Sequence, residues 1–138
     1  MKKYLYVFIS MIIISCNYNK DKLNVQNNTE KDIWFIVMCK NKIENKYYFT
    51  QIQSLVYSKE LASGVFQVFG TNNKSCEKIL KNRLYDKKLY IVFFDPKETG
   101  PIEDINPNLV FNNKKIIVKM YTKKELDDMD WIVEYDGK

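Results

Sequence analysis

The chain has no histidine, and it has only four glycines, three prolines and three cysteines among 138 residues. Without histidine, the sequence excludes Ser-His-Asp and Cys-His nucleophiles and histidine ligands for zinc. The glycines form neither a GxGxxG nor a GxxxxGK motif, so neither of these phosphate-binding loops is present. Catalysis by carboxylate, lysine or tyrosine side chains remains open.

The first 15 residues have the pattern of an export signal. Met1-Lys2-Lys3 is a short basic start, and Tyr4 to Ile14 form an uncharged run of 11 residues. This length suits the apolar core of a secretory signal and is shorter than the roughly 18–20 residues of a transmembrane helix. We therefore predict that residues 1–15 are a signal peptide. The alternative is a buried first element of the domain.

The signal ends in Ile13-Ile14-Ser15-Cys16, which resembles a bacterial lipobox. In proteins with that motif, the cysteine thiol receives a diacylglyceryl group, the preceding peptide is cleaved, and the freed amine is usually acylated as well. Two or three acyl chains make a stable membrane anchor, whereas one holds only marginally. The expected lipidation site is therefore Cys16, and the expected partner of this end of the chain is a membrane.

After the signal, we predict a lipidated cysteine and polar tether at residues 16–22 and one β-rich domain at residues 23–138. The tether contains "NKDK" at 19–22, with Asp21 as its one acidic residue. Some surface-exported lipoproteins carry a lysine-plus-acidic cluster at this place, so the match is partial. The predicted location is the outer membrane, and the sequence leaves open whether the domain faces the periplasm or the cell surface.

The charge pattern argues against a nucleic-acid partner. The chain has 22 basic and 17 acidic residues, a net charge of +5, and loss of Lys2 and Lys3 with the signal leaves +3. The lysines are scattered and never form a run of five or six. Such a pattern is typical of a solvated surface and not of a groove that binds a phosphate backbone.

Two cysteines remain in the mature domain, Cys39 and Cys76. In an oxidising compartment they could form one disulfide, which would stabilise the fold by roughly 3–4 kcal/mol in the chain-entropy model. The alternative is two separate buried thiols, each acting as a small hydrophobic residue. Cys39 continues the alternating apolar set Ile33, Phe35 and Val37, and the sequence therefore favours free thiols.

Apolar alternation predicts a mainly β domain, which we expect to be a sandwich-like antiparallel fold with two short helices. The segment "KKLYIVFFD" at 87–95 is apolar on both faces and should be the central strand. Asn27-Asn28 supplies a polar turn between the first two strands. The expected strands are 23–25, 33–37, 52–57, 61–69, 87–95, 114–121 and 131–135.

The two helices are predicted near residues 76–82 and 123–129. Ser75 could cap the first. Thr122 and Glu125 have the spacing of a capping box, in which each side chain bonds to the other's backbone amide. Tyr121 and Leu126 have the spacing of a hydrophobic staple, which would fix how the chain approaches the helix.

Trp131 follows the second helix and opens the last predicted strand. We expect its ring to lie in the core as an architectural element. The alternative is an exposed stacking platform for a ligand, with Asp127, Asp128 and Asp130 as acidic partners.

Three segments resemble small uncharacterised outer-membrane lipoproteins of Bacteroidota-type bacteria. They are "NNTEKDIWFIV" at 27–37, "LYIVFFD" at 89–95 and the tail "KMYTKKELDDMDWIVEYDGK" at 119–138. The most specific part is the tail, with its Thr-x-x-Glu-Leu cap followed by Trp-Ile. Because that family has no assigned activity, the resemblance implies a location and a fold and no mechanism.

The leading functional hypothesis is a binding or structural module at the cell envelope, with no cofactor, no metal and no enzymatic activity. Its partner would be a protein or a glycan. Aromatic side chains supply stacking surfaces at low entropic cost, and Tyr47-Tyr48-Phe49 is the most exposed-looking cluster. The alternative for this cluster is a strand that packs into the core.

The second hypothesis is a carboxylate-dependent hydrolase that acts on envelope or extracellular glycans. Asp95, Glu98, Glu103 and Asp104 lie in one loop after the central strand, and two of them would have to converge in a cleft. The loop lacks the alternating oxygen ligands of a calcium site. Its alternative is a solvated turn without a functional role.

Overall fold

The computed structural model describes residues 22–58 and 67–138. The predicted signal peptide, Cys16 and the tether up to residue 21 lie outside the described residues, as does most of the predicted strand 61–69. The described part is mainly β, as the sequence predicts. Its strands are β1 (Lys22–Asn27), β2 (Ile33–Asn41), β3 (Lys46–Val56), β4 (Gln67–Asn72), β5 (Lys88–Phe94), β6 (Ile117–Thr122) and β7 (Ile132–Tyr135).

Short helices connect several of these strands. The α-helices are α1 (Asn73–Lys81), α2 (Pro96–Thr99) and α3 (Lys123–Asp128). Two 3₁₀ turns follow α2, at Ile102–Asp104 and Pro107–Asn112. The helices predicted near 76–82 and 123–129 thus correspond to α1 and α3. Ser75 does not cap α1, because that helix begins two residues earlier, at Asn73.

The strands form two sheets. One has the order β3-β2-β5-β6 and is antiparallel throughout, and the other has the order β4-β1-β7. In the smaller sheet, β1 is antiparallel to β4 but parallel to β7. The expectation of a wholly antiparallel fold is therefore wrong at one pair. β6 and α3 lead to the end of the molecule where β1 begins. β7 therefore starts beside the start of β1 and runs in the same direction.

The principal hydrophobic core contains side chains from both sheets. Phe35, Leu89, Ile91 and Phe93 from the larger sheet belong to the same buried cluster as Leu23, Val25, Val133 and Tyr135 from the smaller sheet. A second cluster lies on the other face of the larger sheet, where Ile102, Val110 and Ile116 cover Met38, Val92 and Phe94. β5 contributes to both clusters, so the predicted burial of both its faces is confirmed.

The start of α3 follows the predicted capping box. The Glu125 amide donates to Thr122 Oγ1 at 3.3 Å, and the Thr122 amide donates to a Glu125 carboxylate oxygen at 2.7 Å. Leu126 is fully buried in the principal core, and Tyr121 is half-buried against the same core. The local signal and the tertiary packing therefore agree on where this helix begins.

The end of α3 has the hydrogen bonds of a Schellman motif. The Trp131 amide donates to the Leu126 carbonyl at 2.7 Å, and the Asp130 amide donates to the Asp127 carbonyl at 3.2 Å. Asp130 and Trp131 both have positive φ, at 52° and 60°. The Trp131 ring is only 6% exposed and lies in the principal core, so its predicted architectural role is supported and the exposed stacking platform is wrong.

Both cysteines of the domain are buried and free. Burial raises the pKa of the Cys76 thiol to about 11. Burial, and next the charge of Asp86, raise the pKa of the Cys39 thiol. The structure therefore has the free thiols that the sequence favours, and no disulfide joins Cys39 to Cys76.

Candidate functional site

A cleft of about 520 Å³ lies at one end of the two sheets. Its walls come from the loop between β1 and β2, from α2, and from the chain after β7. β1, β5 and β7 all run towards this end, and β2 and β6 start there. The cleft is therefore a product of strand ends from both sheets.

The floor of the cleft is apolar. It contains Ile33, Phe93, Ile117 and Tyr135, and the rings of Phe93 and Tyr135 lie 4.7 Å apart between centroids at an interplanar angle of 30°. Burial, and then the charges of Asp136 and Glu98, raise the pKa of the Tyr135 hydroxyl. At neutral pH the floor is therefore uncharged and lies within the field of nearby carboxylates.

The rim of the cleft carries a net negative charge. Two lysines, Lys31 and Lys115, lie among five carboxylates, which gives −3, or −2 with Lys119, which pairs with Asp136, in a chain whose total charge is +5. An excess of one sign of charge around a cleft raises the local concentration of ligands of the other sign. The site therefore suits a cationic group. The carboxylates are Glu30, Asp32, Asp95, Glu98 and Asp136.

Three of these carboxylates hold the walls together. Asp32 accepts from the Ser58 amide at 2.8 Å, and Asp95 accepts from the Lys97 amide at 2.9 Å, which caps α2. Asp136 accepts from Lys119 Nζ at 3.0 Å, and this bond is the main reason why the pKa of Asp136 lies below its usual value. These groups fix backbone segments and also give the rim its charge.

Glu98 differs from these three carboxylates. Within residues 22–58 and 67–138, its carboxylate makes no hydrogen bond and no ion pair, while its backbone carbonyl accepts from Lys115 Nζ at 3.1 Å. Its side chain lies on the exposed rim at the third position of α2. Glu98 is therefore a rim carboxylate whose full hydrogen-bonding capacity is available to a ligand.

A buried asparagine shapes the opposite wall. Asn27 is 4% exposed, and its amide nitrogen donates to the Lys31 carbonyl at 2.7 Å. Its side-chain oxygen accepts from the Thr29 amide and from the Thr29 hydroxyl, at 3.0 and 2.7 Å. These bonds connect the end of β1 to the loop that follows it, so the wall is held by a fixed network.

The four loop carboxylates predicted from the sequence are divided by the structure. Asp95 and Glu98 line the cleft together, whereas Glu103 and Asp104 are exposed and are not among its lining residues. The expected solvated turn is in part a helix, because Asp95 caps it and Pro96 occupies its first position. Sequence reasoning did not find Asp32 or Asp136, which adjoin the site only through pairing of distant strands.

The aromatic cluster Tyr47-Tyr48-Phe49, for which the sequence allows a contact surface or a packed strand, is mostly packed. Tyr47 is half-buried with its ring 5.2 Å from Tyr90 and 5.0 Å from Phe111, and Phe49 packs against the second core cluster. Only Tyr48 is exposed. The packed alternative therefore holds for Tyr47 and Phe49.

Two structural features do not occur in the described part of the chain. Residues 22–58 and 67–138 hold no group of three or more cysteine or acidic side chains arranged to bind a metal ion. The same residues contain no helix whose length and hydropathy would let it cross a membrane.

Comparisons with protein-family models, with curated proteins and with solved structures returned no match.

Proposed function

We propose that this protein is a lipid-anchored binding module of the bacterial cell envelope, with a sandwich-like domain that presents the acidic cleft to a cationic ligand. The lipobox at residues 13–16 supports the anchor and the outer-membrane location. The two-sheet core supports the sandwich-like arrangement. The unpaired Glu98 carboxylate above an apolar floor is the observation that carries the binding role.

The ligand that fits this chemistry is a lysine or arginine side chain of a partner protein. The alkyl stem of such a side chain covers apolar surface while its charged end stays polar. Phe93 and Tyr135 supply the apolar floor, and Glu98 supplies a free acceptor for the charged end. A guanidinium can also bond to a carboxylate through two parallel N–H groups, which favours arginine over lysine.

A peptide titration tests the binding role. A short peptide with a central arginine should shift the backbone NMR signals of Thr29, Glu98 and Asp136, and the same peptide with glutamine in place of arginine should not. Glu98→Gln should weaken binding about two- to fivefold, the upper part of the range for one exposed ion pair. Glu103→Gln removes the same charge from the same loop outside the cleft and is the matched control. Equal weakening by both variants would refute the site.

Metabolic labelling tests the anchor. A fatty-acid analogue should label the wild-type protein in its bacterial host and should not label Cys16→Ser. Labelled protein should also remain with the membrane fraction after a salt wash, because two or three acyl chains hold independently of charge. Persistent labelling of Cys16→Ser would contradict the proposal.

The hydrolase remains a second candidate, because Asp95 and Glu98 line the same cleft. Glycoside hydrolysis uses two carboxylates about 5–9.5 Å apart on either side of the scissile bond. If the protein releases sugar from an envelope glycan, Asp95→Asn and Glu98→Gln should each abolish release, and Glu103→Gln should not. Absence of release from glycans that the cleft binds would exclude this candidate.

A further inference from the structure

Two adjacent segments, residues 40–48 and 83–88, form part of the surface remote from the cleft, beside α3, and we call these two segments the hairpin pole. The first contains the turn between β2 and β3, and the second connects α1 to β5. The Lys42 amide donates to the Leu84 carbonyl at 2.6 Å, and the Asp86 amide donates to the Lys40 carbonyl at 3.2 Å. These bonds make the two segments one continuous surface.

The hairpin pole exposes large apolar side chains. Ile43, at the turn, is 76% exposed, and Leu84 and Tyr48 are 44% and 40% exposed. Single exposed apolar residues are ordinary, but a group of them within one small region indicates a contact surface. The backbone bond from Lys42 to Leu84 brings the apolar side chains of the two segments into one region.

The same surface is strongly basic. It has two acids, Glu44 and Asp86, and six basic residues, which gives +4. Each acid accepts a hydrogen bond from a tyrosine. The Tyr48 hydroxyl donates to Glu44, and the Tyr90 hydroxyl donates to Asp86 at 2.6 Å. Among the described residues, none of the basic side chains of this surface forms an ion pair. They are Lys40, Lys42, Lys46, Arg83, Lys87 and Lys88. Lys40 Nζ lies 5.3 Å from the centroid of the Tyr47 ring. The pKa of Glu125 in α3 is lowered chiefly by its hydrogen bonds with Thr122, and the charge of Lys88 helps to lower it.

The direction of β1 places the start of the domain on the same side. β1 runs from Lys22 towards the cleft, because Asn28, directly after it, lines the cleft. β2 runs from Ile33 in the cleft to Asn41 in the hairpin pole. Both Lys22 and the hairpin pole therefore lie away from the cleft. Residues 16–21 could span at most about 20 Å when fully extended, which bounds the distance from Cys16 to Lys22.

From these observations we infer that the hairpin pole rests on the anionic phospholipid surface that holds the lipid anchor. This inference depends on the proposed acylation of Cys16 for the position of the membrane. Ile43 and Leu84 enter the interface between headgroups and acyl chains, and the unpaired lysines and Arg83 face lipid phosphates. The acidic cleft then points away from the like-charged membrane and stays open to ligands.

Vesicle binding by an acyl-free protein tests this inference separately from acylation. The probe is the mature chain, residues 16–138 with Cys16→Ser, mixed with vesicles of phosphatidylglycerol and phosphatidylethanolamine. We expect salt-sensitive sedimentation with these vesicles and none with vesicles of phosphatidylcholine alone. Lys42→Gln with Lys46→Gln should lower the partition coefficient about 25-fold, since each basic residue near an anionic surface contributes about fivefold.

Lys31→Gln with Lys114→Gln removes the same charge near the cleft and is the matched control, which should change the partition coefficient less than threefold. An equal decrease of the partition coefficient in the two double variants would overturn the inference, even if Cys16 proves to be acylated. The absence of vesicle binding by the parent chain would overturn it as well. Orientation is measured with a reporter tryptophan: brominated lipid should quench Ile43→Trp and leave the added fluorescence of Lys31→Trp unchanged. Quenching of both would equally overturn it.

Discussion

Replacing Trp131 by alanine should destabilise the domain by about 3–5 kcal/mol, because truncation of a buried tryptophan leaves a cavity in the core. The ring is 6% exposed and shares the principal core with Leu126 and Val133. Its indole nitrogen also donates to Asp127 at 2.9 Å. The substitution does not relieve backbone strain, because the positive φ of 60° at this position is unfavourable for alanine as well as for tryptophan.

The assay is urea denaturation followed by far-UV circular dichroism, because Trp34 would complicate a fluorescence signal. The predicted loss of free energy of unfolding in Trp131→Ala corresponds to a decrease of roughly 10–20 °C in melting temperature for a domain of this size. Trp131→Phe keeps most of the apolar volume and loses the indole N–H, so it should cost about 1–2 kcal/mol. Met120→Ala is the control, because that side chain is 49% exposed and should change stability by less than about 0.5 kcal/mol.

The result that would refute this reasoning is a loss below about 1 kcal/mol for Trp131→Ala, the size expected of an exposed residue. In that case the tryptophan would not be part of the core. A loss confined to the m-value, with an unchanged free energy of unfolding, would indicate a change in the denatured state and would equally contradict the argument.

Three further predictions concern the same end of the chain. Thr122→Ala should lower the free energy of unfolding by about 1 kcal/mol in the same urea assay, because the first turn of α3 loses its cap, and Thr122→Ser should not. Asp130→Ala should lower the free energy of unfolding by about 1 kcal/mol, since alanine adopts φ = 52° less readily than aspartate, and an increase would contradict this. The pKa of Asp136 is lowered chiefly by its bond to Lys119, and that of Asp127 by its bond to Lys123. The contributions of these two carboxylates to stability should be present above about pH 4 and should be lost as the pH falls through their lowered pKa values. Asp136→Asn should therefore make the melting temperature fall less steeply as the pH is lowered in the acid range.

The elements that the sequence predicts well have local causes. The start of α3 depends on Thr122 and Glu125, which are three residues apart, and β5 is recognisable because its side chains are apolar on both faces. α2 also had a local signal, an aspartate cap followed directly by a proline, which is the favoured first residue of a helix. The polar composition of the same segment predicts a solvated turn, so the two local signals disagree, and the structure follows the cap.

The cleft could not be predicted in the same way. Asp32, Asp95 and Asp136 lie at the ends of three different segments, and only the pairing of strands brings them to one rim. The pairing of β1 with β7 joins Asn24 to Ile132, and periodicity within either segment contains no information about it. Of the four loop carboxylates, Asp95 and Glu98 line the cleft, and long-range register determines which residues lie beside them.

The pairing of β1 with β7 also determines when the domain can finish folding. A chain that emerges N-terminus first, from a ribosome or across a membrane, exposes β1 at once but supplies its parallel partner with the last residues of the sheet, 132–135. Strand pairs that are distant in sequence form slowly, because a long loop has to close first. Trp131, Val133 and Tyr135, which complete the principal core, arrive just as late. The principal core therefore cannot be completed before residues 131–135 are available, even if the four strands of the larger sheet have already paired.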